Sequence, residues 1–60
     1  MLADGNSVRA YLLQHYCVAN NQLNMILRKY QDVITRATQT NRETDDLCIF
    51  IAKQENLESK

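Results

Sequence analysis

Sixty residues allow a single domain with a thin core, since a chain of this length buries only about 60% of the surface it exposes when unfolded. Seven Lys and Arg offset seven Asp and Glu, so no bulk charge draws the chain to nucleic acid or an anionic membrane. Two cysteines and one histidine are too few for a closed zinc site or a disulfide framework, although one disulfide is arithmetically possible. Association with another chain is left as the favoured support.

The opening, "MLADGNSVRAYLL", has an acid and a glycine where a signal peptide would carry basic residues and an apolar core. Its "DGNS", residues 4–7, supplies a turn and a capping candidate in Asn6 or Ser7 just before Val8. Gly5 is the only glycine and proline is absent, so nothing after Asn6 compels the backbone to turn. A sandwich or barrel would need several turn residues, and the chain reads as all-α.

From Leu12, alternating steps of four and three residues meet Tyr16, Ala19, Leu23, Ile26, Tyr30, Val33 and Ala37, each apolar or aromatic. Such a period of 3.5 predicts a long helix, from about 7 to 38, packed lengthwise on other helices. Leu13, Leu27 and Ile34 form a second row beside this seam, so the stripe is wider than a two-stranded zipper needs. Within it, Asn20, Asn21 and Asn24 are poor helix formers. They read either as a locally exposed face or as a polar device fixing register with a partner helix.

Residues 38–46, "TQTNRETDD", put Thr40 and Thr44 at the next two seam positions. Thr40 and Glu43 have the spacing of a capping box, which favours a break at 38–41 and a second helix from about 42 to 57. Leu47 and Ile51 nevertheless continue the seam in phase, as one unbroken helix would. A strand at 47–51 would suit Ile49, Phe50 and Ile51, but no partner strand is available in the chain. The run Leu47–Ala52 is apolar around most of a helix's circumference and must be covered on several sides. At six residues it is far short of the roughly 20 that span a bilayer, so the chain reads as soluble, intracellular and cytoplasmic.

Charge is distributed unevenly. Residues 1–42 carry a balance of +3 and residues 43–60 a balance of −3, which favours antiparallel apposition of the two ends. Arg28, Lys29 and Arg36 read as a solvated face, with Asp32 placed to pair with Arg36. Asp45 and Asp46 suit the first turn of a helix, where they favour the dipole. His15 and Cys17, two positions apart, point about 200° away from each other on a helix and cannot grip one metal. No phosphate-binding loop or nucleophile–base order is present, and so small a chain can hardly enclose a catalytic pocket.

"VANNQLNMILRKYQDVI", residues 18–34, resembles the last helix of the GAT domain of clathrin-associated sorting adaptors, through Ala19, Asn20, Leu23, Ile26, Leu27 and Tyr30. The family has aspartate where this chain has Asn21, and leucine where it has Cys17. The resemblance implies a module that binds ubiquitin or a trafficking partner, with a contact stripe at Leu13, Cys17 and Asn21.

The expectation is one domain over residues 1–60: a long helix plus a shorter one, as a hairpin or a kinked rod, within a helical dimer or higher bundle. The function expected is non-catalytic self-association, as an antiparallel homodimer. The interface would comprise Leu12, Tyr16, Ala19, Leu23, Ile26, Leu27, Tyr30, Val33, Ile34, Leu47, Phe50 and Ile51. No cofactor, metal, nucleic acid, membrane or small-molecule substrate is expected, and the partner is a second copy or another helical protein.

Overall fold

A computed structural model describes all of residues 1–60 and resolves them into four helices. These are α1 (Gly5–His15), α2 (Asn20–Lys29), α3 (Gln31–Gln39) and α4 (Thr44–Glu55). The all-α expectation holds, and so does the break near 38–41. The long helix does not: a straight helix over 7–38 would run about 48 Å, whereas the longest dimension of the molecule is 27 Å. Two further breaks, at residues 16–19 and at Tyr30, divide it into three.

Each break has a local cause. After α1, Tyr16 is extended, and the chain pairs there with its own C-terminal segment. The Cys17 N–H donates to the Glu58 carbonyl (2.8 Å), and the Lys60 N–H to the His15 carbonyl (3.0 Å). Lys60 Nζ also donates to the Leu13 carbonyl, 2.6 Å away. Carbonyls at the end of a helix lack intrahelical donors; at the end of α1 the distant segment supplies them. No propensity scale registers such a partner.

At Tyr30 the backbone bends without stopping (φ −100°, ψ 17°). Its N–H still donates to Ile26 and its carbonyl accepts from Ile34, both at 2.9 Å. Its hydroxyl donates to Glu55 Oε2 (2.7 Å), which fixes the elbow against the end of α4. α3 and α4 both end on an asparagine in the left-handed region, Asn41 (φ 57°) and Asn56 (φ 56°). After each, the next N–H reaches back to the last turn: Arg42 to Ala37 and Leu57 to Ala52, both at 3.0 Å. Asparagine replaces the glycine usual at this position because it tolerates positive φ better than most residues.

Caps differ from those expected at both helix starts. Asp4, not Asn6 or Ser7, caps α1: its carboxylate accepts from the Ser7 N–H (2.8 Å), and Ser7 Oγ accepts from the Asp4 N–H (2.9 Å). Thr40 and Glu43 form no capping box, because the Thr40 hydroxyl turns back to the Arg36 carbonyl (3.0 Å). The start of α4 is held instead by residues 1–3. The Thr44 N–H donates to the Met1 carbonyl (2.9 Å) and the Ala3 N–H to the Arg42 carbonyl (2.8 Å).

These pairings place the starts of α1 and α4 together and their ends together, so the two helices run in the same sense. α3 runs the other way, from Tyr30 beside Glu55 back to Thr38, whose hydroxyl donates to the Ala3 carbonyl (2.7 Å). α2 is tied to α1 by Arg9 Nη1 donating to Asn24 Oδ1 (2.9 Å). One core lies between the helices, built on Val8, Leu12, Leu23, Ile26, Ile34, Leu47, Cys48 and Ile51. Four short helices thus cover the stripe that one helix pair could not. The seam period survives because each helix turns most of its seam residues to the same centre.

Candidate functional site

α4 divides cleanly into two faces. Thr44, Leu47, Cys48, Ile51 and Ala52 point inward and are buried. Asp46, Ile49, Phe50 and Lys53 point outward, and Ile49 and Phe50 remain 44% and 47% exposed. The apolar run that seemed to need cover all round is therefore covered on one side only. Beside Phe50, across a shallow groove of about 350 Å³, stands Val33 of α3, 39% exposed. Val33, Ala37, Leu47 and Phe50 form the groove's apolar lining, and Arg36, Arg42, Thr40 and Asp46 its polar edge.

Neither guanidinium nor the Asp46 carboxylate has an ion-pair partner; the two ion pairs of the chain are Met1–Glu43 and Lys29–Glu55. Lys53, on the far side of Phe50, is exposed and equally free of a carboxylate partner. The site thus offers two bulky apolar groups on a rigid helix, bordered by charges of both signs that nothing in the chain neutralises. Such a surface can bind.

The other ionisable groups of note are bonded within the chain or buried. Glu55 Oε2 accepts from Tyr30 and from Lys29 Nζ (2.9 Å), and these bonds, Lys29's first, hold its carboxyl below the ordinary value. The bond to Glu55 raises Lys29, while burial and then Glu55 raise Tyr30. Lys29 Nζ also stands 5.5 Å from the Tyr30 ring centroid. Cys48 is wholly buried, its Sγ 3.8 Å from the Val8 carbonyl; burial, and secondarily Asp45, push the thiol up to about 12. It is a core residue without access to a substrate. Cys17 and Cys48 are both free, so the possible disulfide is not formed. No group of three His, Cys, Asp or Glu is placed to hold a metal ion.

Of the interface residues expected from the seam, Leu12, Leu23, Ile26, Ile34, Leu47 and Ile51 lie in the core of the single chain. Tyr16, Leu27 and Tyr30 are half-buried against it, and Ala19 is exposed at the start of α2. Val33 and Phe50 alone present a large apolar side chain to solvent at the groove. Ile49, Arg36, Arg42, Asp46 and Lys53 were outside that set. For Asp46, Ile49 and Lys53 the signal was phase, since positions 46, 49 and 53 lie off the seam that Leu47 and Ile51 continue.

Leu13, Cys17 and Asn21 fall on three different pieces: α1, the connection after it, and the first turn of α2. Residues 18–34 run from that connection through α2 and the Tyr30 elbow into α3. No helix is long and apolar enough to cross a membrane. No protein-family model, no curated protein and no solved structure matches the chain.

Proposed function

We propose that this chain is a non-catalytic protein–protein interaction domain that associates with a second copy of itself through the outer face of α4 and the adjoining edge of α3. The observation that carries the reading is the exposure of Ile49 and Phe50, next to each other on a helix whose opposite face fills the core. Scattered apolar residues on a surface are ordinary, but neighbouring large ones on one rigid face lose free energy to water until a partner covers them. Val33 extends the patch across the groove. The apolar floor, the unpaired charges at its border and the inaccessibility of Cys48 suit docking better than chemistry.

Molar mass by light scattering over a concentration series tests the reading. The mass should rise from 7.0 kDa toward twice that value, and Phe50→Ser should hold it at the monomer value with helicity unchanged. A wild-type chain that remains monomeric at millimolar concentration overturns the proposal.

A further inference from the structure

The outer stripe of α4 is complementary to its own reverse. Its charges are Asp46 at one end and Lys53 at the other, and its apolar pair, Ile49 and Phe50, sits midway between them. On an α-helix these four positions fall within about 100° of arc, and the two charges stand about 10.5 Å apart, two turns. A two-fold axis crossing α4 between Ile49 and Phe50 brings Asp46 opposite Lys53 of the second copy, and Lys53 opposite its Asp46. The same operation lays Ile49 of each chain on Phe50 of the other. A parallel arrangement would set Asp46 against Asp46 and Lys53 against Lys53.

We infer that the second copy docks by this operation: an isologous, antiparallel α4–α4 contact centred between Ile49 and Phe50 and closed at both ends by Asp46–Lys53 pairs. The inference rests on the self-association reading and specifies its geometry. Three observations support it. Asp46 and Lys53 are exposed and unpaired within their own chain, so they are available to the second copy. The two apolar side chains between them are each about half exposed. α4 is fixed from behind by five buried residues, so the stripe is rigid before association and loses little entropy in docking. Because a two-fold contact uses the same patch on both chains, it closes at the dimer and leaves no free patch for a third copy. The stripe is short, which places the association in the weak, concentration-dependent class.

Charge exchange tests the geometry. D46K puts lysines at both ends of the stripe and K53D puts aspartates at both, so each variant alone faces like charges across the axis. Each should dimerise about tenfold more weakly than wild type at low salt, with the difference shrinking as salt is added. The double variant D46K/K53D restores opposite charges and should regain wild-type affinity. An equimolar mixture of D46K and K53D should form the mixed dimer in preference to either homodimer. Circular dichroism should show the four-helix fold retained in all three variants, because neither side chain makes an internal hydrogen bond or ion pair and each loses only its favourable place near an end of α4.

Dimerisation that is the same as wild type in all three variants overturns the α4–α4 geometry while leaving self-association standing. A dimer insensitive to charge but lost on Val33→Ser would place the second copy in the α3–α4 groove and overturn the geometry likewise. A wild-type monomer at every concentration removes the self-association reading, and with it this inference, in favour of a different protein as occupant.

Discussion

The Tyr30 hydroxyl donates a 2.7 Å hydrogen bond to Glu55, joining the elbow between α2 and α3 to the last turn of α4. The same carboxylate oxygen takes Lys29, so two groups from one bend converge on one acceptor. The elbow contains neither proline nor glycine, and this convergence is what fixes it.

Stability should therefore depend on pH at the acid side. Glu55 has a lower value folded than its ordinary 4.5, so across that interval the folded state holds fewer protons than the unfolded one. The contribution of the cluster is complete above about pH 4.5 and is lost as pH falls through the folded value. On the alkaline side, Tyr30 is raised above 10.0, so its share is complete below pH 10.0 and is lost as pH rises through the folded value. Thermal melts of wild type and Glu55→Gln should converge on acidification; melts that stay equally far apart at pH 3 and pH 7 would show that Glu55 does not titrate with folding.

Leu12 and Leu23 are fully buried in a core of eleven hydrophobic residues. Truncating either to alanine should cost about 2–5 kcal/mol. A chain of this size has only about 3–9 kcal/mol in total, so chemical denaturation should find these variants largely destabilised. Ile26→Glu, which forces a charge into a site 2% exposed, should abolish helicity altogether. Ile49→Ser should leave the melting curve nearly unmoved. Equal effects from the Ile26 and Ile49 variants would contradict the division between core and docking face.

Ser7 and Thr44 are the two buried polar residues, and their hydroxyl oxygens stand 2.9 Å apart where α1 and α4 begin. Thr44 Oγ1 also lies 3.0 Å from the Met1 carbonyl. Thr44→Val keeps the shape and removes the hydroxyl, and should destabilise by about 1–2 kcal/mol in urea unfolding. No loss would mean that the hydroxyl pair contributes nothing beyond its packing.

The two cysteines should differ in reactivity. Cys17 is exposed, whereas Cys48 is buried with its thiol pushed up to about 12. Iodoacetamide at neutral pH should label Cys17 alone in the native chain, and Cys48 only after denaturant is added, as mass spectrometry would record. Native labelling of Cys48 would mean that α4 leaves the core under native conditions.

Much of the architecture was legible in periodicity. Leu12, Leu23, Ile26, Ile34, Leu47 and Ile51 stood out as apolar seam positions, and all six are buried. Helix ends were harder to read. The one at Tyr16 depends on hydrogen bonds to residues 58–60, and the elbow at Tyr30 on a hydroxyl reaching Glu55; neither lies in the local sequence. Asn41 and Asn56 did carry a local signal as left-handed helix ends, but so do many asparagines that sit elsewhere. On the candidate site the run "LCIFIA" exposed its own division once its neighbours were placed. Leu47 and Ile51 followed the seam, while Ile49 and Phe50 departed from it toward solvent. What the sequence could not separate was a seam shared between chains from one shared among helices of the same chain.

The pairing of His15 and Cys17 with residues 58–60 has a consequence for the order of assembly. Lys60 and Leu13 are bonded across 47 positions of sequence. During synthesis α1 and α2 are therefore made long before the segment that separates them, and the nascent chain is free to extend one into the other. The hydrogen bonds that hold the break at 16–19 can form only once residues 58–60 are present. Closing contacts so remote in sequence slows folding relative to a helical bundle built from neighbouring turns. The end of α1 is thus set from the far end of the chain, and removing residues 58–60 should leave its last carbonyls without those donors.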